Sequence, residues 1–144
     1  MLIHFFILGL FSLGCSGISV TPGDYDVSTS LVTDECGFFN DTEFENETWV
    51  LTVSEDDVIT FTIEEDSYDF IPNDDSYVYE DVTETDLGDG AILIADEKSR
   101  LTFENDAFAG TSSLGYSCGD GEDCEIDELP CNIALELAGT LIVE

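Results

Sequence analysis

The chain has 144 residues, with 34 Asp and Glu against two Lys and Arg, and a formal charge of −32. That charge repels nucleic acid and anionic lipid head groups, which argues against both as binding partners. A hydrophobic content of 43% with 11% aromatic residues argues against a disordered acidic tail, so the charge belongs to the surface of a folded body.

The first element is an uncharged apolar run from Leu2 to Leu13, closed by Ser12-Leu13-Gly14-Cys15. About a dozen apolar residues ending in small ones make the core of a secretion signal. They are too few for a bilayer span of about twenty residues. The cut site resembles the lipobox of bacterial lipoproteins, a resemblance carried by Gly14 and Cys15. Ser12 departs from it, standing where that family usually has leucine, and no Lys or Arg precedes the run. The resemblance implies cleavage after Gly14 and acylation of Cys15, which anchors the protein to the membrane of the cell envelope. Ser16 resembles lipoproteins sorted to the outer membrane. It implies nothing about the domain that follows, and an ordinary signal releasing a secreted protein is the alternative. The expected organisation is therefore a signal peptide over 1–14, a lipidated cysteine and tether over 15–23, and an acidic β domain over 24–144.

Tyr25 to Glu35 reads as the first strand of that domain. A long connection follows, carrying Phe38, Phe39 and Phe44 and the glycosylation sequons Asn40-Asp41-Thr42 and Asn46-Glu47-Thr48. Thr48 to Val53 and Val58 to Ile63 flank Ser54-Glu55-Asp56-Asp57. The second run puts Ile59, Phe61 and Ile63 on one face and Thr60 and Thr62 on the other, a period of two that predicts a half-buried hairpin. Tyr77-Val78-Tyr79 makes a short middle strand. Ala91 to Ala95 and Leu101 to Glu104 flank an expected turn at Asp96-Glu97-Lys98-Ser99, where Lys98 and Arg100 are solvated cations pairing with Asp96 and Glu97. Ala107 to Cys118 and Cys131 to Val143 complete the series, the last with Ile133, Leu135, Leu137, Leu141 and Val143 on one side. About eight strands without a helix predict an all-β, antiparallel up-and-down β-barrel, with a two-sheet β-sandwich as the alternative. Such a barrel looks like a lipocalin, by analogy of fold alone.

Cys36, Cys118, Cys124 and Cys131 are an even set in an exported domain, which predicts two disulfides with three pairings. In an up-and-down barrel the end of the first strand, the end of the seventh and the start of the eighth share one rim. Cys36 with Cys131 then staples the closure and Cys118 with Cys124 pins the rim loop. Cys36 with Cys124 and Cys118 with Cys131 is nearly as good.

The sole histidine, His4, lies in the signal, so imidazole chemistry is absent from the domain and no enzyme is expected. A carboxylate-based hydrolase is the third reading. Among 34 acids some pair falls at any chosen distance, so abundance carries no specificity. Calcium is the cofactor considered, on Asp120, Glu122, Asp123 and Glu125 of a loop that also holds Asp127; Asp86-Leu87-Gly88-Asp89-Gly90 is a second acidic turn. Neither has EF-hand spacing. Acid runs such as Asp56-Asp57 and Glu64-Glu65-Asp66 hold like charges closer than any screening length and welcome cations. The protein should therefore melt at a lower temperature in about 10 mM salt than in about 0.5 M. A calorimetric Tm indifferent to salt contradicts this.

Phe38, Phe39, Phe44, Tyr77 and Tyr79, with Tyr68 and Phe70, either plug a small barrel or line its mouth and receive an apolar ligand. The plug is the expected arrangement. The chain is thus expected to be a lipid-anchored binding or surface-structural module whose further partners are cationic protein surfaces or divalent cations. The alternative is a lipocalin-type carrier of a small apolar ligand. A cavity lined by these aromatics separates the two.

Overall fold

The computed structural model describes residues 18–88, 90–119, 124–126 and 128–144. Its strands are β1 (Gly23–Asp34), β2 (Glu47–Val53), β3 (Ile59–Ile63), β4 (Asp66–Asn73), β5 (Ser76–Gly88), β6 (Ala91–Glu104), β7 (Ala107–Cys118) and β8 (Cys131–Leu141). Each strand pairs antiparallel with the next, and β8 returns to pair with β1, so the sheet closes as an up-and-down barrel rather than a sandwich.

The period of two sets which side chains turn inward. β3 buries Ile59 and Phe61 with Thr60 between them, and the second half of β6 buries Ser99, Leu101 and Phe103 alternately. Two-residue loops at Glu64-Glu65, Asp74-Asp75 and Asn105-Asp106 join strands whose registers meet at Ile63 and Asp66, Asn73 and Ser76, and Glu104 and Ala107. The first residue of each loop, Glu64, Asp74 or Asn105, takes a positive φ, as tight hairpin turns between twisted strands require.

One end of the barrel is filled. Tyr25, Leu51, Ile59, Phe61 and Leu101 are almost wholly buried there. Phe108 is the hub of the filling, with ring centroids 5.4 Å from Phe61 and Phe103, 5.7 Å from Tyr25 and 6.2 Å from Trp49. Its ring lies across Gly139 of β8, where a Cβ would overlap it. The Tyr25 hydroxyl donates to the Thr21 carbonyl at 2.7 Å, and the Thr21 hydroxyl donates to the Asp106 carboxylate at 3.0 Å. Ile18 and Val20, from the segment expected as a tether, pack partly buried against this same end.

Both preferred disulfides are present: Cys36–Cys131 across the β1–β8 seam, and Cys118–Cys124. Beside the first, the Glu35 N–H donates to the Asn132 carbonyl at 2.9 Å, and the Asn132 N–H donates to the Glu35 carboxylate at 3.2 Å. The staple thus continues the β1–β8 ladder past its last strand pair.

The strand count agrees with expectation for partly wrong reasons. Asp96-Glu97-Lys98-Ser99 is not a turn; it is the middle of a single 14-residue strand, β6, and all four residues pair in register with both β5 and β7. Lys98 accordingly points outward and bonds Glu80 across the ladder at 2.7 Å, not Asp96 or Glu97. The Arg100 guanidinium donates to the Ser76 hydroxyl at 3.0 Å. β4 was hidden by Pro72. Beyond Phe70 it has no β3 partner, so a proline there removes no ladder bond on that side. The expected short strand at Tyr77 to Tyr79 is the start of the 13-residue β5.

Unequal strands shape the other end. β5, β6 and β7 run 13, 14 and 12 residues, whereas β2 and β3 run seven and five. The long strands rise as a wall past the short ones, and the ladder between β4 and β5 holds only three residue pairs, all beside their turn. Above it, aromatic rings take over the contact between the two strands.

Candidate functional site

The open half of the barrel holds a cavity of about 490 Å³. Trp49 and Phe61 form its floor, where the filled end stops. Tyr68 and Phe70 of β4 and Tyr79 of β5 form the wall where those strands part, with ring centroids 5.5 Å (Tyr68 to Tyr79) and 5.6 Å (Phe70 to Tyr79) apart. Leu114, Leu135 and Leu137 line the opposite side, and Phe39 and Phe44, 5.4 Å apart, reach over it from the β1–β2 connection. The Phe39 N–H donates to the Asp34 carboxylate at 2.7 Å, which fixes the turn after β1 and holds that ring in place.

Polar groups are few and placed by register. The Ser99 hydroxyl donates to that of Ser112 across the β6–β7 pair at 2.8 Å, and both are buried in the wall. Trp49 donates its indole N–H to the Glu47 carboxylate at 3.2 Å. On β5 and β6, Tyr79 lies opposite Ser99 and Asp81 opposite Glu97, so all four face the same side as the core pair Tyr77 and Leu101. Glu97 therefore enters the barrel. Burial first, and then the charge of Asp81, push its carboxyl above the ordinary value. Burial first, and then Asp66, Glu97 and Glu47, raise the Tyr68 phenol; burial, Glu97, Asp81 and Tyr68 raise that of Tyr79. Both phenols stay protonated beside the carboxylates.

No protein-family model, curated protein or solved structure matches the chain.

Of the aromatics singled out from the sequence, Phe39, Phe44 and Tyr79 meet at this cavity, together with Tyr68 and Phe70. Tyr77 does not; its register with Leu101 sets it in the filled end, packed edge-on against Phe103. Phe38 is about half exposed and packs on Tyr116, outside the cavity lining. Glu97, Ser99, Ser112 and Trp49 were missed as site residues. The signal for Glu97 and Ser99 is the unbroken alternation Leu93, Ala95, Glu97, Ser99, Leu101, Phe103, which becomes visible once polar residues are allowed on an inner face.

Asp120, Glu122 and Asp123, the expected calcium ligands, lie outside the described residues, as does Asp127. Glu125 is exposed beside Cys124, and among the described residues no three His, Cys, Asp or Glu side chains group as metal ligands. In the second acidic turn the Gly88 N–H donates to Asp86 at 2.8 Å; Asp89 lies outside the described residues. Cys15 lies outside them too. Asn40 and Asn46 are exposed; Asn40 donates to the Gly37 carbonyl and Asn46 to the Asp26 carboxylate.

Proposed function

We propose that this is an extracytoplasmic, non-catalytic binding barrel that holds a small, largely apolar molecule in its open half. The observation that supports this reading best is the aromatic-lined cavity of about 490 Å³, a volume within the range of about 300–1,000 Å³ usual for small-molecule sites. Its apolar lining with a few convergent polar groups has the composition such sites use. A purely structural module gains nothing from leaving half a barrel unfilled, since unfilled volume costs stability. Two disulfides fit an oxidising compartment.

With an acyl anchor at Cys15, residues 18–22 against the filled end turn that end towards the membrane and the cavity mouth away from it. The mouth then samples the aqueous compartment, as suits capture of a diffusing ligand.

Titration with the neutral fluorophore N-phenyl-1-naphthylamine tests the reading. The expected result is saturable enhancement at one probe per chain, lost in a Leu135→Trp variant whose larger ring fills the cavity from β8. Absence of saturable binding, or equal binding by the filled variant, contradicts it.

A further inference from the structure

We propose that the cavity selects organic cations: an apolar body carrying one ammonium group, seated between Glu97 and the rings of Tyr68 and Tyr79. The proposal rests on the ligand-binding reading above and adds the chemical class of the ligand.

The first support is the sign of the charge within reach. The lining contains the carboxylates of Glu43, Glu45, Glu47 and Glu97 and no cationic side chain. The two cations of the chain are committed elsewhere, Lys98 to Glu80 on the outer face and Arg100 to Ser76. A fatty acid or other anion entering this space loses its hydration and meets only like charge. A neutral ligand gains nothing from the carboxylates, whereas a cation gains from each of them.

The second support is the aromatic wall beside Glu97. Tyr68 and Tyr79 meet edge to face at 82°, and Phe70 lies against Tyr79. Ring faces grouped around a cavity attract ammonium ions through the negative face of each ring, most strongly where water is excluded.

The third is Glu97 itself. Among the described residues its carboxylate accepts no hydrogen bond and forms no ion pair, while its backbone is held in the ladders to β5 and β7. The charged and titratable groups that act on or around it are Asp81 of β5, Asp66 of β4, Glu47 of β2, the lining Glu43 and Glu45, and the phenols of Tyr68 and Tyr79, none of them cationic. Burial disfavours its charge while it stands alone. An arriving ammonium reverses that balance, because the same low dielectric strengthens the pair it forms.

Three competitors with one naphthyl body separate the terms: naphthylmethyl-trimethylammonium, naphthylmethanol and naphthylacetate, each displacing bound N-phenyl-1-naphthylamine at physiological ionic strength. The ammonium is expected to displace the probe at about one tenth the concentration the alcohol needs, a difference of about 1.4 kcal/mol, and the carboxylate not to displace it. Glu97→Gln should narrow the gap between ammonium and alcohol to roughly twofold, or about 0.4 kcal/mol, while Glu136→Gln, which removes the same charge from the outer wall, should leave it intact. Equal displacement by ammonium and alcohol overturns the proposal and leaves the ligand-binding reading standing. A gap that survives Glu97→Gln undiminished removes Glu97 from the seat of the ammonium, and one that Glu136→Gln narrows as much assigns the preference to the general surface field; either overturns the proposal. Failure of the neutral probe to bind the unaltered protein removes the ligand-binding reading itself. Binding of the probe by Glu97→Gln reports that the variant is folded.

Discussion

Replacing Cys36 and Cys131 together by serine should lower the unfolding free energy by about 4.7 kcal/mol, against about 2.4 kcal/mol for Cys118 and Cys124. The difference follows from loop length in the unfolded chain. The first bond joins residues 95 apart, the second residues six apart, and the longer tether removes more conformations from the unfolded ensemble. The first bond also holds the β1–β8 seam, without which the barrel becomes an open sheet with two free edges. A domain of this size has about 5–15 kcal/mol in all, so the Cys36–Cys131 pair carries a large share of it. Urea denaturation of the two double variants measures both losses. Equal losses, or a larger one at Cys118–Cys124, contradict the assignment of the long staple as the main constraint.

Gly139→Val should cost about 3–5 kcal/mol, the range for losing a large aromatic from a core. A Cβ at this position overlaps the edge of the Phe108 ring, and Phe108 packs on Tyr25, Trp49, Phe61 and Phe103. The ring has nowhere to move without displacing those neighbours, so the variant either expels it or spreads the strands. Gly119→Ala is the control. Its Cβ meets only Ile92 at 3.5 Å, ordinary contact, and the expected change is within about 0.5 kcal/mol. Adding Phe108→Leu to Gly139→Val should recover part of the loss, because the smaller side chain vacates the clash. Thermal melts of the three variants beside the unaltered protein decide it, and a Gly139→Val protein as stable as the unaltered one contradicts the packing described.

The filled half of the barrel and the aromatics of the open half were legible in the sequence, whereas the polar inner positions of the open half were not, for one physical reason. In β3 and in the end of β6 the inner positions are apolar, so Ile59, Phe61, Leu101 and Phe103 display the period of two. Where β6 lines the cavity its inner positions are Glu97 and Ser99, which an unfilled interior has room for and which break the apolar pattern. A run of Asp, Glu, Lys and Ser then looks like a turn. The disulfide pairing followed from topology, because an up-and-down order brings three cysteines to one rim. Register carried what composition does not: it separated Tyr77 in the filled end from Tyr79 in the cavity, two residues apart on one face.

Trp49 gives the most direct test of the cavity, since it is the only tryptophan of the chain and stands in the cavity lining. Its indole N–H, hydrogen-bonded to Glu47, should give the one indole signal of a proton–nitrogen correlation spectrum. Titration with naphthylmethyl-trimethylammonium should shift that signal and the amides of Tyr68, Tyr79, Glu97 and Ser112, saturating at one equivalent, while the amides of Asp69 and Glu136 stay in place. Shifts spread over the outer acidic residues with the indole signal unmoved would show the cation bound to the surface and the cavity taking no part.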